Sequence, residues 1–168
     1  VNLKKNATFI MKMMNQRGIK NVQLLEASTD GVPPAVYGEV IVPGATQTLI
    51  FYAHYDGQPV NPDQWAKGLE PFKPSLFSKA IYQDGIPIPF PADGKYEREW
   101  RIYARGASDD KAGVAAILNA YDAIVKSGLK PGSNLKFFFE GEEEAGSTHL
   151  NEILENHKFL LKSDLWVI

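Results

Sequence analysis

The sequence predicts an α/β protein built on a mixed, largely parallel sheet. Two mostly apolar runs, Leu49–Ala53 and Asn134–Phe139, have the composition of strands that are buried on both faces. After residue 100, strand-like and helical patterns alternate in the order strand, helix, strand, helix, strand, which is typical of a parallel sheet with crossover helices. Polar clusters follow these runs directly, so we expect them to meet at one edge of the sheet.

Length and composition indicate one globular domain. The chain has 168 residues, of which 44% are hydrophobic and 23% charged. Its net charge of −2 argues against a nucleic-acid partner. No apolar run approaches the ~20 residues that span a bilayer, so we expect no membrane partner. The chain has no cysteine, and a metal site would therefore use histidine, aspartate and glutamate.

The first part of the chain predicts one helix and three strands. Apolar residues recur at helical spacing over Leu3–Met14, and Gly18 is a typical C-terminal stop. Val22–Glu26 is strand-like. Ala35–Val42 and Thr48–Tyr55 are also strand-like, and the short Pro-Gly loop between them predicts a hairpin.

The middle of the chain is irregular. Residues 57–100 contain seven of the eleven prolines, and a connection of this length is usually functional or an insertion. Ile102–Ala104 is then expected to rejoin the sheet. A helix follows over Val114–Val125 and ends near Gly128, and a last helix is expected to begin at Ser147 as its N-cap.

The two ends suggest a longer protein. The chain starts with Val1, and Leu165–Ile168 has the pattern of a strand that is just beginning. We therefore interpret the sequence as a piece of a larger protein. The alternative is a short protein that ends in an edge strand.

Three clusters could carry chemistry. His54 and Asp56 lie two residues apart, on the same side of an extended segment, as a metal ligand and its orienting carboxylate would. Asp109 and Asp110 precede a helix, where one of them is sufficient as an N-cap. The run Glu142–Glu144 follows a strand, and on extended backbone its neighbours would face opposite sides, one as metal ligand and one as general base.

Together the three clusters resemble a known family. The segments His54–Asp56, Arg105–Lys111 and Glu140–Ser147 are similar to motifs of the di-zinc exopeptidases and deacylases that include carnosine dipeptidase, acetylornithine deacetylase and succinyl-diaminopimelate desuccinylase. The resemblance covers roughly residues 35–168 and is nearest to the dipeptidase branch, because of Gln58-Pro59, Trp65 and Pro71-Phe72.

The resemblance implies a fold and a set of residue roles. The fold would be a three-layer α/β/α catalytic domain. His54, Asp109 and Glu144 would be metal ligands, with Asp109 bridging two Zn²⁺ ions and the Asp109–Asp110 peptide cis; Mn²⁺ or Co²⁺ are alternative metals. Asp56 would orient His54, and Glu143 would be the general base. Glu142 would have no role.

The sequence departs from the family pattern in two respects. Residues 78–99 look like an insertion between the first two motifs. A further acidic ligand is expected just after Ile168, and a histidine ligand and a lid or dimerisation domain still later. Residues 1–168 would thus be the N-terminal part of the catalytic domain and inactive alone. His149 and His157 do not match the missing ligand and are interpreted as surface residues.

The function that the resemblance implies is hydrolysis of a peptide or amide bond in a dipeptide or short peptide. A metal-bridging hydroxide would attack the carbonyl, with Glu143 as general base. One alternative is a deacylase or deacetylase of N-acyl amino acids, and another is a non-catalytic binding module that keeps the fold. A homodimer is the expectation for the complete protein. A cytoplasmic location is the default expectation, with periplasmic or secreted locations left open because the N-terminus looks incomplete.

Overall fold

The computed structural model describes residues 3–168, and the main elements follow the predicted order. Val1 and Asn2 lie outside the described residues. The helices and strands are α1 (Leu3–Gln16), β1 (Lys20–Leu25), β2 (Ala35–Val40), β3 (Thr48–His54), β4 (Ser75–Phe77), β5 (Pro87–Ile88), β6 (Arg101–Tyr103), α2 (Lys111–Lys126), β7 (Asn134–Glu140), α3 (Leu150–Asn156) and β8 (Leu165–Val167).

The central layer is a mixed sheet. Within the described residues, five strands pair in the order β1-β2-β7-β3-β8. The pairs β1–β2 and β2–β7 are antiparallel, whereas β7–β3 and β3–β8 are parallel. The side chains of α1 and α2 pack on one face and those of α3 on the other, which confirms the three-layer α/β/α arrangement.

The Phe-rich strand β7 is the centre of the core. Phe137 and Phe139 pack with α1 and α2, while Phe138 packs with α3 and Trp166. All three phenylalanines are almost completely buried. Alternate side chains of one strand point to opposite faces, so an uninterrupted apolar strand is what a layer covered on both sides requires.

The predicted hairpin between the second and third strands is wrong. Strand β7 lies between β2 and β3, and Phe139 is the register partner of both Val36 and Ala53. The antiparallel neighbour of β2 along the chain is β1 instead. Insertion of β7 buries its aromatic side chains between two partners, which a local β2–β3 pairing would not do.

The prediction that Ile102–Ala104 rejoins the main sheet is also wrong. Strand β6 pairs with β4 in a separate small sheet of order β5-β4-β6 within the described chain. Ile102 is 48% exposed, so this strand lacks the burial of a central position. Residues 75–103 therefore form a small sheet of their own, and the segment that carries Asp109 follows directly after it.

Helix α2 agrees with its prediction. Asp110 is its N-cap, and the carboxylate accepts a hydrogen bond of 3.1 Å from the Gly113 N–H. Gly128 ends the segment with a φ of +80°. The helix packs on β3, which places the residues just before it beside the end of that strand. No helix in residues 3–168 has the length and apolar character that crossing a membrane requires.

Candidate metal centre

His54 is the last residue of β3 and is 7% exposed. Its register partner on β7 is Glu140, so the ends of the two parallel strands stand side by side. The imidazole Nδ1 lies 3.1 Å from Asp56 Oδ1. This contact favours the tautomer with the proton on Nδ1 and leaves Nε2 free to bind a metal.

Two carboxylates converge on that second nitrogen. Asp109 Oδ1 lies 3.0 Å from His54 Nε2, and Glu143 Oε2 lies 3.5 Å from it. Among the described residues, His54, Glu143 and Glu144 also offer ligand atoms that all lie within 4.8 Å of one another. The structure thus brings together the side chains of all three sequence clusters, although β6 does not belong to the main sheet.

The donor set fits a divalent cation. If Nδ1 carries the proton, Nε2 has no hydrogen to give to either carboxylate, and the like charges of Asp109 and Glu143 repel each other. A cation would offset this repulsion. Bonds of ~2.0–2.1 Å in a tetrahedral zinc site separate ligand atoms by about 3.3 Å, which is the scale of the contacts at Nε2. Imidazole and carboxylate ligands suit zinc and also manganese or cobalt.

Asp56 connects two of the clusters. Its Oδ1 contacts His54, and its Oδ2 accepts a hydrogen bond of 2.9 Å from the backbone N–H of Glu144. The carboxylate is buried, so both of its oxygens are used for positioning. The first contact follows from the spacing of the sequence. The second could not be predicted, because it depends on how the acidic loop folds back.

The acidic loop does not have the extended backbone that the sequence analysis assumed. Residues Glu143–Ala145 form a single 3₁₀ turn that ends at Gly146, whose φ is +89°. Successive side chains on such a turn are not placed on opposite faces, and both Glu143 and Glu144 lie near His54. The glycine makes the turn possible because it adopts the left-handed conformation without steric cost.

The prediction that Ser147 caps the last helix is wrong. Ser147 has a φ of +52°, and α3 begins at Leu150 with His149 in the N-cap position.

His149 is not a plain surface residue either. Its Nδ1 lies 2.9 Å from Glu142 Oε1, and its backbone N–H donates to Glu142 Oε2 at 2.9 Å. Glu142, which was expected to have no role, therefore fixes the start of α3.

We expect Glu142→Ala to lower the free energy of unfolding by about 1–3 kcal/mol, because the substitution leaves a half-buried backbone N–H and imidazole without their acceptor. Chemical denaturation monitored by circular dichroism measures this change. Glu155→Ala is the matched control, since Glu155 has a side chain that is 66% exposed and pairs with Lys158, which lies just beyond the end of α3. Equal stabilities of the two variants would contradict the positioning role of Glu142.

Other residues around the centre were not identified as site residues from the sequence. The Gln58 amide donates a hydrogen bond to Glu144 Oε2. Tyr52 donates to Glu140 Oε2 at 2.6 Å, and burial together with this carboxylate raises the pKa of the Tyr52 hydroxyl. Gln58 could have been identified from the sequence, because it lies in the loop that follows His54. His157 follows the last residue of α3 and is not in the ligand group.

The peptide bond between Asp109 and Asp110 is cis, as the resemblance implied. A three-layer α/β/α domain with an imidazole and several carboxylates at the ends of its parallel strands is the arrangement of a metal-dependent hydrolase. Residues 50–165 match the family model described as Peptidase family M20/M25/M40, and the chain belongs to that family.

Two known proteins of similar sequence are named as dipeptidases. The chain is 32% identical over 158 residues to a Cys-Gly metallodipeptidase of Candida albicans, an alignment that covers 88% of this chain and 28% of that protein. It is 29% identical over 155 residues to the human Beta-Ala-His dipeptidase, with 86% and 26% covered. The chain thus spans little more than a quarter of the length of these relatives.

The fold is also similar to a solved structure. An M20 family metallo-carboxypeptidase from Sulfolobus solfataricus superposes with a TM-score of 0.73 at 30% identity, and the match covers 98% of this chain and 32% of that one. The metallopeptidase family and the mixed α/β fold that the sequence predicted are therefore confirmed.

Proposed function

We propose that residues 1–168 are the N-terminal part of the catalytic domain of a zinc-dependent dipeptidase. The observation that carries this proposal is the convergence of Asp109 and Glu143 on His54 Nε2, at 3.0 and 3.5 Å. Dipeptides are the proposed substrate class because two relatives are named for the hydrolysis of Cys-Gly and Beta-Ala-His. Two zinc ions are proposed in the complete enzyme, with the remaining ligands supplied by residues after Ile168.

Each residue of the centre has a defined task in this proposal. His54, Asp109 and Glu144 hold the metal, and Asp56 fixes the orientation of the imidazole. Zinc bound there would polarise the substrate carbonyl and lower the pKa of a water molecule. The Glu143 carboxylate accepts the proton of the attacking water and returns it to the leaving amine. Its half-exposed side chain is accessible to both reactants.

The buried surroundings support this division of tasks. His54 and Asp56 are both buried, which holds them in one arrangement, whereas the Asp109 side chain is 78% exposed and faces the open side of the centre. A rigid imidazole beside accessible carboxylates suits a site that must bind a metal and still admit a substrate. Tyr52 and Glu140 are hydrogen-bonded to each other near the ends of the two parallel strands.

A substrate panel on the complete protein tests the proposal. Cys-Gly and Beta-Ala-His are compared with N-acetyl amino acids, with zinc present and after its removal by a chelator. We expect zinc-dependent release of free amino acids from the dipeptides. Faster hydrolysis of the N-acetyl amino acids would establish the deacylase alternative instead. Absence of any hydrolysis by a zinc-loaded protein would favour a binding module.

A further inference from the structure

A cavity of about 700 Å³ lies behind the metal centre. It is bounded by the start of α1, by the loop that follows β3, by the small sheet and by the turn before α2. Phe72 and Ile102 give it an apolar wall, and both side chains are about half exposed. Arg105 and Lys111 give it a cationic wall. The cavity is therefore amphipathic, with two positive groups on one side.

The guanidinium of Arg105 lacks a counter-charge. Within residues 3–168, its Nε is buried and has no hydrogen-bond partner, and none of the ion pairs found there joins Arg105 to a carboxylate. The group lies over the ring of Trp65, 5.9 Å from the centroid. The backbone N–H of Arg105 is held by the Pro71 carbonyl at 2.6 Å. The side chain is thus positioned by stacking, and its donors remain available.

Lys111 adds a second cation. Its Nζ donates to the backbone carbonyl of Asp56 at 3.3 Å, which uses one of three N–H donors. The Nζ lies so near Gly106 that a Cβ built there would be 2.6 Å away. The chain therefore fits closely around the amine on one side and leaves it accessible from the cavity.

Asp56 is the one acidic side chain among the residues that line the cavity, and it forms no ion pair with Arg105 or Lys111, although its charge lies near Lys111. Both oxygens of Asp56 are already used, one by His54 and one by the Glu144 N–H. Partly buried cations without a partner are unfavourable, and an anion that enters the cavity removes that cost. A planar guanidinium fork beside an ammonium matches the two oxygens of a carboxylate.

We propose that this cavity binds a small organic carboxylate, whose oxygens contact Arg105 and Lys111 and whose apolar group packs on Phe72 and Ile102. The site is separate from the metal ligands and does not require the proposed peptidase activity. The carboxylate could belong to an amino acid released by the enzyme or to an unrelated metabolite, and both share the chemistry that the cavity recognises. An inorganic oxyanion would use only the cationic wall.

The test measures binding of isovalerate to the chain by isothermal titration calorimetry, with a chelator present so that no metal contributes. The uncharged analogue isovaleramide and inorganic sulfate are titrated in parallel. We expect saturable binding of isovalerate that is at least about tenfold tighter than that of the amide, because the amide cannot form charge-assisted hydrogen bonds to both cations. Equal binding of acid and amide, or no binding of the acid, would overturn the proposal.

Variants locate the site. Arg105→Gln should weaken isovalerate binding at least about tenfold, whereas Arg101→Gln should not change it, since Arg101 pairs with Glu99 on the small sheet and does not line the cavity. An unchanged affinity in Arg105→Gln would refute the assignment. The comparison of isovalerate with isovaleramide uses the unaltered chain, so it tests the proposal even if the Arg105→Gln variant does not fold. Tighter binding of sulfate than of isovalerate would overturn the organic-carboxylate assignment.

Discussion

Replacement of Glu143 by glutamine is expected to lower dipeptide hydrolysis by the complete enzyme about 10²–10⁴-fold, while the zinc content stays unchanged. Glutamine has the size of glutamate but cannot accept a proton from water. Glu143 lies 3.5 Å from His54 Nε2 and is 44% exposed, so it is near the metal position and open to the substrate. The rate at saturating substrate and metal analysis of the purified variant provide the two measurements.

Glu155→Gln is the control for the Glu143 variant, because it makes the same chemical change on the exposed face of α3. Two outcomes would contradict the general-base role. Retained hydrolysis would show that the proton is taken by another group. Loss of zinc together with activity would show that Glu143 is a metal ligand, a result with which the close grouping of His54, Glu143 and Glu144 would agree.

Replacement of His54 by alanine is expected to weaken zinc binding by more than about 100-fold. Substitutions of residues that only orient a metal ligand already weaken metal binding 10–100-fold. The loss should be larger for His54, because its Nε2 is the atom on which the carboxylates converge. Asp56→Asn should give an effect in that smaller range. Competition against a chromophoric chelator measures all of these affinities.

His157→Ala provides the control for the histidine series, since His157 follows α3 and is not in the ligand group. Its zinc affinity should equal that of the unaltered chain. A similar loss of affinity in the His157 and His54 variants would indicate a general effect on folding, and unchanged affinity in the His54 variant would refute the proposed centre.

Local signals were sufficient for much of the fold. The apolar runs of β3 and β7, a helix cap by one of Asp109 and Asp110, and the stop near Gly128 were all predicted from short stretches, because strand burial, capping and left-handed glycine depend on neighbouring residues. The position of His54 at a strand end follows in the same way. The family motifs then related these separate stretches to one centre.

Long-range pairing was harder to predict. The sequence around β2 and β3 contains a loop suited to a hairpin, yet β7, which begins 80 residues after the end of β3, separates the two strands. Strand β6 has an apolar pattern but too little burial for the main sheet. The 3₁₀ turn of the acidic loop depends on contacts such as Asp56 with the Glu144 N–H, and no local pattern indicates these.

The parallel ladder between β3 and β7 determines where this domain could change length during evolution. Seven consecutive residue pairs run from Thr48 and Asn134 to His54 and Glu140 without a shift. Deletion of one residue from either strand would turn the following side chains to the opposite face, so His54 would no longer meet the acidic loop. Residues 57–100 lie outside this ladder and contribute two of the three strands of the small sheet. Insertions and deletions should therefore be tolerated in residues 78–99 of that segment and selected against in the two strands.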